Sequence, residues 1–445
     1  MKLGVVLGAG FSKAVDDEFP TVDMLGELVR EQVPGALATA PPTFAVGGGF
    51  ERWLSRIAEP QPDLSEAANL GNARDFQLVT AAIHAQMVGI EHRAFQRRIP
   101  WWLLRFLGLL HTTRATVVTF NYDTLVEGAS TRMADQETAQ MLNTFSLTDG
   151  IPETRSGGMY GPAWIPSFRL LKLHGSVDTY WVPGDVAGST IVRVADSSWH
   201  AEGGMSSPNL NIARQAPGRV PFIVPPASAK SAFFTNPITR QLWRTAADRL
   251  GACDQIVIIG YSVPLTDLVA SAMLVDAQRV SGANIDIVNP DPDTVIQHLT
   301  TDAGVPAQMV RAAAASCKEY VDQLERDVSE VATASIQDAL GEPRHLAVSG
   351  LFGQVHRVVG ARVVGREVQL DISEAVPRAS AMEVSSWMAT ASLRELLAES
   401  GAVRISITID GESACVVDHY VWSGSASDGG LLILMPSAIR VPEPS

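Results

Sequence analysis

Cysteine is scarce in this sequence: Cys253, Cys317 and Cys415 are the only three among 445 residues. No two of them stand at the C-x-x-C spacing of a zinc site, and three scattered thiols make no disulfide framework. We therefore expect no metal site, and we expect a reducing compartment such as the cytoplasm.

Basic residues are also few, and long apolar runs are missing. Lysine and arginine total 34 against 48 aspartates and glutamates, so the formal net charge is −14. Nucleic-acid affinity depends on cations that displace counterions from phosphates, so we expect no direct nucleic-acid binding by the bulk surface. No apolar segment reaches the roughly 20 residues that cross a bilayer. Met1-Lys2 leads directly into a predicted strand without room for a signal peptide, so we expect a cytoplasmic protein without a membrane partner.

The order of the predicted elements indicates an α/β fold. Short apolar runs alternate with stretches of helical periodicity, which is typical of a parallel sheet whose strands are connected by helices. We predict a Rossmann-like parallel sheet flanked by helices, with its ligand at the carboxyl ends of the strands. The predicted strands are Leu3–Leu7, Thr116–Phe120, Leu170–Leu173, Phe222–Val224, Gln255–Gly260 and Ile285–Asn289.

The length of the chain predicts more than one domain. We place this sheet in residues 1–305, a long helical connector in 306–340 and a small α+β domain in 341–445, with a helix at about Glu383–Ser400. In the connector, apolar residues alternate steps of four and three, which is typical of a helix packed on a second helix, either within the chain or in another copy. Those residues are Cys317, Val321, Leu324, Val328 and Val331.

Five of the strand ends carry glycine or small polar residues, and each has an ordinary structural interpretation when taken alone. The glycine pair can be a simple tight turn, and it lacks the third glycine of the dinucleotide fingerprint. Asparagine and aspartate at a strand end commonly form turns or helix caps, and a lone histidine is more often a hydrogen-bonded core residue than a catalyst. The segments are Gly8-Ala9-Gly10-Phe11-Ser12, Thr119-Phe120-Asn121-Tyr122-Asp123, Lys172-Leu173-His174-Gly175-Ser176, Ile258-Ile259-Gly260-Tyr261-Ser262-Val263-Pro264 and Ile287-Val288-Asn289.

Taken together and in this order, the five segments resemble the silent-information-regulator (sirtuin) family, in its bacterial sirtuin-like branch, over about residues 1–300. The resemblance implies an NAD site in which NAD is the substrate. The turn from Gly8 to Ser12 would hold the phosphates of NAD, and Gly260 to Ser262 with Asn289 would line its adenosine half. The implied cofactor-binding residues are Gly8, Ala9, Gly10, Phe11, Ser12, Thr119, Gly260, Tyr261, Ser262 and Asn289.

The resemblance places three catalytic candidates, Asn121, Asp123 and His174, around the nicotinamide ribose. Cleavage of the nicotinamide–ribose bond creates an oxocarbenium-like centre, as in glycoside hydrolysis. Asn121 can position a water or a ribose hydroxyl there, and His174 can accept a proton from a ribose hydroxyl, a role that contributes ~10²–10⁴-fold. Asp123 can orient the nicotinamide amide, support the cationic centre, or only cap the next helix.

The sequence departs from the protein deacylases of this family at three places. The zinc module with two cysteine pairs is missing, because Ser176–Ile259 contains only Cys253. The stretch Glu18–Asp23 lacks the Asp and Arg that touch NAD in the deacylases, and Pro221–Ala227 shows no clear acyl-lysine clamp. The resemblance then implies a zinc-free NAD hydrolase, cleaving NAD to nicotinamide and ADP-ribose as an NAD-depleting effector in bacterial antiphage defence.

Two other classes of function stay open at this point. The same pocket could serve an NAD-dependent deacylase or an ADP-ribosyltransferase, or a non-catalytic sensor or scaffold subunit that binds NAD or ADP-ribose. We expect a homo-oligomer, and the C-terminal domain could dock a partner such as a translocase-type ATPase or another defence component.

Overall fold

The computed structural model describes residues 2–44, 48–133, 168–194, 218–228, 231–264 and 266–327, and eight strands between residues 346 and 440. The chain divides into two compact units. The first comprises Met1–Leu104 and Arg114–Tyr320, and the second comprises Arg105–Thr113 and Val321–Ser445. Within the described ranges, no helix combines the length and the apolar character that a bilayer crossing requires.

The first 320 residues contain nine described strands and ten described α-helices. The strands are β1 (Leu3–Leu7), β2 (Thr116–Thr119), β3 (Arg169–Lys172), β4 (Gly175–Trp181), β5 (Val192–Arg193), β6 (Val220–Ile223), β7 (Gln255–Ile259), β8 (Asn284–Val288) and β9 (Val310–Ala314). The helices are α1 (Ala9–Val15), α2 (Val22–Gln32), α3 (Gly49–Ala58), α4 (Glu66–Phe95), α5 (Trp101–Thr112), α6 (Leu125–Met133), α7 (Ser231–Phe234), α8 (Pro237–Leu250), α9 (Leu268–Ser281) and α10 (Pro292–Gln297).

Six of these strands form one parallel sheet in the order β3-β2-β1-β7-β8-β9. The central strands β1 and β2 are buried along their whole length, as expected where helices cover both faces of a parallel sheet. The predicted α/β fold, a Rossmann-like parallel sheet flanked by helices, is therefore confirmed.

The register of the sheet brings the strand ends into line. Lys172, Thr119, Leu7, Ile259 and Val288 are consecutive partners across five strands, so the residues that follow them leave the sheet at one edge. The strand order reverses between β1 and β7, and a crevice for ligands opens at such a switch point beyond the carboxyl ends.

The edge strand β9 extends the sheet beyond the predicted end of the first domain at residue 305. It pairs with β8 from Val310 to Ala314. Arg311 and Ala312 in its middle are exposed, so the strand lacks the apolar run that revealed the central strands. Within the predicted connector, residues 317–327 are helical, and residues 328–345 lie outside the described residues.

A small three-stranded sheet, in the order β5-β4-β6, lies apart from the parallel sheet. The sequence predicted β6 as a further strand of the parallel sheet, and this was wrong, because β6 pairs antiparallel with β4. The turn from β3 to β4 requires glycine: Gly175 has φ +78°, and a Cβ there would lie 2.1 Å from the carbonyl oxygen of Phe222.

Among the described residues of the second unit, eight strands form one sheet: β10 (Leu346–Leu351), β11 (Gln354–Val364), β12 (Glu367–Val376), β13 (Arg404–Ile409), β14 (Glu412–Val417), β15 (Tyr420–Ser423), β16 (Leu431–Leu434) and β17 (Ile439–Arg440). Their order in the sheet is β15-β16-β10-β11-β12-β13-β14-β17. The pairings are mixed, parallel for β10 with β16 and for β12 with β13. The helix predicted at Glu383–Ser400 lies outside the described residues.

Candidate active site

A cavity of about 710 Å³ opens at the carboxyl edge of the parallel sheet, at the switch point between β1 and β7. It brings together residues from all five segments singled out in the sequence. Eleven of the thirteen predicted site residues line it: Gly8, Ala9, Gly10, Ser12, Asn121, Asp123, His174, Gly260, Tyr261, Ser262 and Asn289.

The glycines at this edge are required by the packing of two turns against each other. The N–H of Gly10 donates to the carbonyl of Gly260 at 2.8 Å. A Cβ on Gly8 would lie 2.5 Å from the Cβ of Tyr261, and one on Gly260, whose φ is +60°, would lie 2.3 Å from the backbone nitrogen of Phe11. The close packing of the β1 turn against the β7 turn therefore requires glycine at these positions, whether or not a phosphate binds there.

Asn121, Ser12 and Asp123 form a chain of hydrogen bonds along the cavity wall. The Asn121 amide donates from Nδ2 to the Gly8 carbonyl at 2.9 Å and to Ser12 Oγ at 2.8 Å. Ser12 Oγ in turn donates to Asp123 Oδ2 at 2.6 Å. Asp123 Oδ1 accepts the N–H of Leu125 at 3.3 Å, so this carboxylate both caps α6 and fixes Ser12. The orientation of the Asn121 amide is thereby set by the glycine turn and by α6.

The turn that carries Asn121 and Asp123 is held from behind by buried polar groups. Tyr122 Oη donates to the Val224 carbonyl at 2.6 Å, and burial raises the pKa of this phenol, which keeps it a donor. Lys172 Nζ donates to the Asp123 carbonyl and to Glu127 Oε1, the latter at 3.1 Å. These bonds restrict movement of the turn, which favours a preorganised site.

Two acidic residues behind this turn have displaced pKa values. Burial raises the pKa of Glu91 to about 8, although its Oε2 accepts the N–H of Thr124 at 2.5 Å. Burial would also raise the pKa of Asp178, but the charges of Arg193 and Lys172 outweigh it and hold that pKa below its ordinary value. The layer beneath the cavity thus combines an ion-paired carboxylate with one that titrates near neutral pH.

His174 also lines the cavity and is only 6% exposed. Its Nε2 is 3.7 Å from Oδ2 of Asp267, a carboxylate that also accepts a hydrogen bond from Tyr261 Oη at 3.2 Å. The imidazole lies 4.9 Å, centroid to centroid, from the ring of Phe120. A carboxylate at this distance stabilises the imidazolium that forms when a histidine accepts a proton.

Phe11 and Thr119, the other two predicted cofactor-binding residues, do not line the cavity. The ring of Phe11 packs edge-on against Trp102, 5.8 Å between centroids. Thr119 Oγ1 accepts the N–H of Asn121 at 3.1 Å. Both residues belong to the turns that carry lining residues, and their part in cofactor binding stays a prediction.

Four charged residues that line the cavity were not among the predicted site residues: Lys13, Asp23, Glu51 and Asp267. Lys13 and Asp23 lie close in sequence to the glycine turn, in the helices α1 and α2. Their short distance from Gly10 along the chain is a signal that could have identified them as cavity residues. Glu51 on α3 and Asp267 before α9 reach the cavity through tertiary packing, which no local sequence pattern indicates.

Cys317, which also lines the cavity, is a free thiol like Cys253. Burial raises the pKa of the Cys317 thiol to about 12, so it stays protonated near neutral pH and is a poor nucleophile. Within the ranges that the structure describes, no three or more His, Cys, Asp or Glu side chains are grouped so that they could hold a metal ion.

The fold and the cavity define a Rossmann-like α/β protein with a polar site at the switch point of its parallel sheet. No family model matches the chain, and no curated protein matches it either. Similar solved structures include a mutant Sir2 homologue in complex with ADP-ribose, at 14% identity over 74% of this chain and 92% of that chain, with a TM-score of 0.38.

Two further similar structures are also Sir2 enzymes. One, described as a structural basis for Sir2 mechanism and regulation, is 13% identical over 74% of this chain and 92% of that chain, with a TM-score of 0.35. The other, Sir2 with an inhibitor, 2′-O-acetyl-ADP-ribose and a deacetylated peptide, is 13% identical over 74% and 94%, with a TM-score of 0.34. Because identities and TM-scores are low, the fold assignment rests on the strand order and register of the sheet.

Proposed function

We propose that this chain is an NAD glycohydrolase that cleaves NAD to nicotinamide and ADP-ribose in the cavity at the β1–β7 switch point. The observation that carries the proposal is that Asn121 and His174, from distant parts of the sequence, line one cavity together with the glycine turn at Gly8. The resemblance of the five strand ends to the sirtuin family suggested this chemistry independently.

The hydrogen bonds of Asn121 suit the positioning role. Its Nδ2 donates to Gly8 and Ser12, so the amide oxygen is the atom available to accept a hydrogen bond from water or a ribose hydroxyl. His174 would accept a proton from a ribose hydroxyl, and Asp267 would stabilise the resulting imidazolium. NAD supplies the scissile bond, and nicotinamide leaves with the bonding electron pair as a neutral base.

The charges along the cavity also suit NAD, whose diphosphate is anionic and whose nicotinamide ring is cationic. Lys13, on the helix that follows the glycine turn, would face the diphosphate. Asp123 and Asp267 lie beside Asn121 and His174, where positive charge develops during cleavage of the bond to ribose.

Turnover of NAD by the purified full chain tests the proposal. We expect nicotinamide and ADP-ribose in equal amounts, and we expect Asn121→Ala and His174→Ala to abolish their formation. Asn284→Ala and His92→Ala change the same residue types outside the cavity and should keep wild-type rates. If Asn121→Ala and His174→Ala turn over NAD as fast as the wild type, the chemistry does not take place in this cavity.

The same assay separates the alternative functions. Formation of O-acetyl-ADP-ribose from an acetylated peptide would favour a deacylase, and ADP-ribose attached to protein would favour a transferase. Tight binding of NAD that is recovered unchanged would favour a sensor or scaffold subunit.

We further propose that hydrolysis depletes NAD during phage infection of a bacterial host, with the C-terminal unit serving self-assembly or docking of another defence component. Bacteria expressing the wild-type chain should then form fewer plaques and lose NAD after infection. Bacteria expressing Asn121→Ala should not. Equal plaque counts for the two strains would contradict the defence role and leave the enzymatic proposal standing.

A further inference from the structure

Glu51 is a buried carboxylate to which the proposed mechanism of NAD cleavage assigns no role. It lies in the first turn of α3, is only 4% exposed, and lines the same cavity as Asn121 and His174. A carboxylate in the wall of a ligand cavity can stabilise positive charge on the ligand or accept a proton from it, so Glu51 is a candidate for chemistry.

The start of α3 is fixed in place, so Glu51 has a defined direction. Asp23 accepts the N–H of Gly48 at 2.9 Å and the N–H of Phe50 at 3.1 Å, one with each carboxylate oxygen. The Phe50 ring packs against that of Phe44, 5.1 Å between centroids. These contacts hold the helix against α2 next to the glycine turn.

The next turn of α3 shows which segment of the chain lies against the helix face that carries Glu51. Ser55 lies four residues after Glu51, on the same helical face, and its Oγ accepts the N–H of Ser228 at 2.8 Å. The segment before Ser228 begins at Val224, whose N–H donates to the His174 carbonyl at 2.8 Å and whose carbonyl accepts the Tyr122 hydroxyl. The face of α3 that carries Glu51 thus packs against the segment 224–228, whose Pro226 also lines the cavity.

The electrostatics agree with this placement. Burial is the main cause of the raised pKa values of Tyr122 and Tyr261, and the charges of Glu51 and Asp267 raise both values further. Glu51 therefore acts on the phenol next to Asn121 and on the phenol that donates to Asp267. Negative charge at this end of the cavity complements the cationic end of NAD.

We propose that Glu51 is a further catalytic residue, a carboxylate that stabilises the cationic ribosyl centre and accepts a proton from the attacking water. The inference rests on the proposed NAD glycohydrolase function. The bond from ribose C1′ to the nicotinamide nitrogen breaks, and its electron pair leaves with nicotinamide. A new bond forms between C1′ and the water oxygen, and the water proton passes to the Glu51 carboxylate and then to solvent.

This step divides the proton transfers between two groups. His174 serves the ribose hydroxyl, and Glu51 serves the water.

The test is the steady-state NAD turnover of Glu51→Gln, an isosteric change that removes the charge and the basic site. We expect kcat to fall by about 10²-fold or more while the KM for NAD changes by less than about threefold. Glu59→Gln, an exposed change just after the same helix, is the matched control and should keep the wild-type kcat. Thermal melting of each variant measures whether it is folded.

A second variant separates a chemical from a structural role. Glu51→Ala leaves space for a small carboxylate, so sodium formate should restore part of its kcat, and sodium chloride at the same ionic strength should not. If Glu51→Gln retains kcat within threefold while Asn121→Ala is inactive, or if Glu51→Ala is folded and formate restores nothing, Glu51 has no catalytic role and the proposed function stands. If the wild-type chain itself cleaves no NAD, both proposals fail.

Discussion

The imidazole of His174 and the carboxylate of Asp267 approach to 3.7 Å, measured between Nε2 and Oδ2, with each residue almost wholly buried. Asp267 occupies the N-cap position of α9, yet its side chain accepts no capping hydrogen bond from that helix. An aspartate at this position would ordinarily be explained as a helix cap. Here it instead faces the histidine that we propose as a base.

Replacement of Asp267 by asparagine should therefore lower kcat for NAD cleavage by about tenfold to a hundredfold, with a smaller effect on KM, because the imidazolium would lose its stabilising charge. Rates measured across a series of NAD concentrations give both constants. Asp276→Asn, an exposed change on the same helix, should leave both unaltered. An Asp267→Asn protein with the wild-type kcat would show that this carboxylate does not assist His174.

Lys13 should contribute to NAD binding more than to turnover. We expect Lys13→Ala to raise the KM for NAD by about tenfold to a hundredfold, since a hydrogen bond to a charged phosphate contributes roughly 1.5–3 kcal/mol, and to leave kcat within about threefold. Lys2→Ala removes an exposed lysine before β1 and serves as the control. An unchanged KM at low ionic strength would contradict contact between Lys13 and the diphosphate.

Gly260 should tolerate no side chain. Gly260→Ala would place a Cβ 2.3 Å from the backbone nitrogen of Phe11 at a φ of +60°, so we expect a lower melting temperature and loss of NAD binding. Gly71→Ala, in α4 with no atom within 4 Å of the added carbon, should instead stabilise the protein by about 0.5–1 kcal/mol. Equal melting temperatures for the two variants would be inconsistent with the packing of the β1 and β7 turns.

Glu91 should make stability depend on pH. Its pKa is raised by burial from 4.5 to about 8, so the folded protein holds this proton over a range in which the unfolded chain has released it. Its contribution to the free energy of unfolding is therefore complete below pH 4.5 and is lost as the pH rises towards 8. Glutamine does not titrate, so Glu91→Gln does not lose free energy of unfolding in this way as the pH rises. The free energy of unfolding of the variant relative to that of the wild type should therefore increase with pH across that range.

Urea unfolding at several pH values measures the effect of Glu91. The control is Glu66→Gln, an exposed change in the same helix, which should follow the wild-type pH dependence. Parallel curves for Glu91→Gln and the wild type would mean that Glu91 is ionised in the folded protein throughout the range.

Much of the fold was predictable because the central strands are short apolar runs bounded by helices. The same reasoning missed β9, whose exposed Arg311 interrupts the apolar character, and β4, which contains buried polar residues such as Asp178. It also placed β6 in the wrong sheet, because an apolar run indicates a strand without indicating its partner.

The candidate site was predictable where its residues directly follow strands. Gly8, Asn121 and Asn289 each come within two residues of the end of a parallel strand. Parallel strands end at the same edge of a sheet, so these residues can be predicted to be neighbours, and the register of the sheet agrees. Glu51 and Asp267 come from helical segments, and only the packing of α3 and α9 against the sheet brings them to the cavity. The assignments of individual roles in binding and catalysis remain predictions.

A structure of the full-length Asn121→Ala protein with NAD bound would test the central claim most directly. We predict that the diphosphate lies at the turn of Gly8 and Gly10, and that the nicotinamide ribose lies between residue 121 and His174. NAD bound elsewhere, or bound with its nicotinamide ribose away from both residues, would contradict the account.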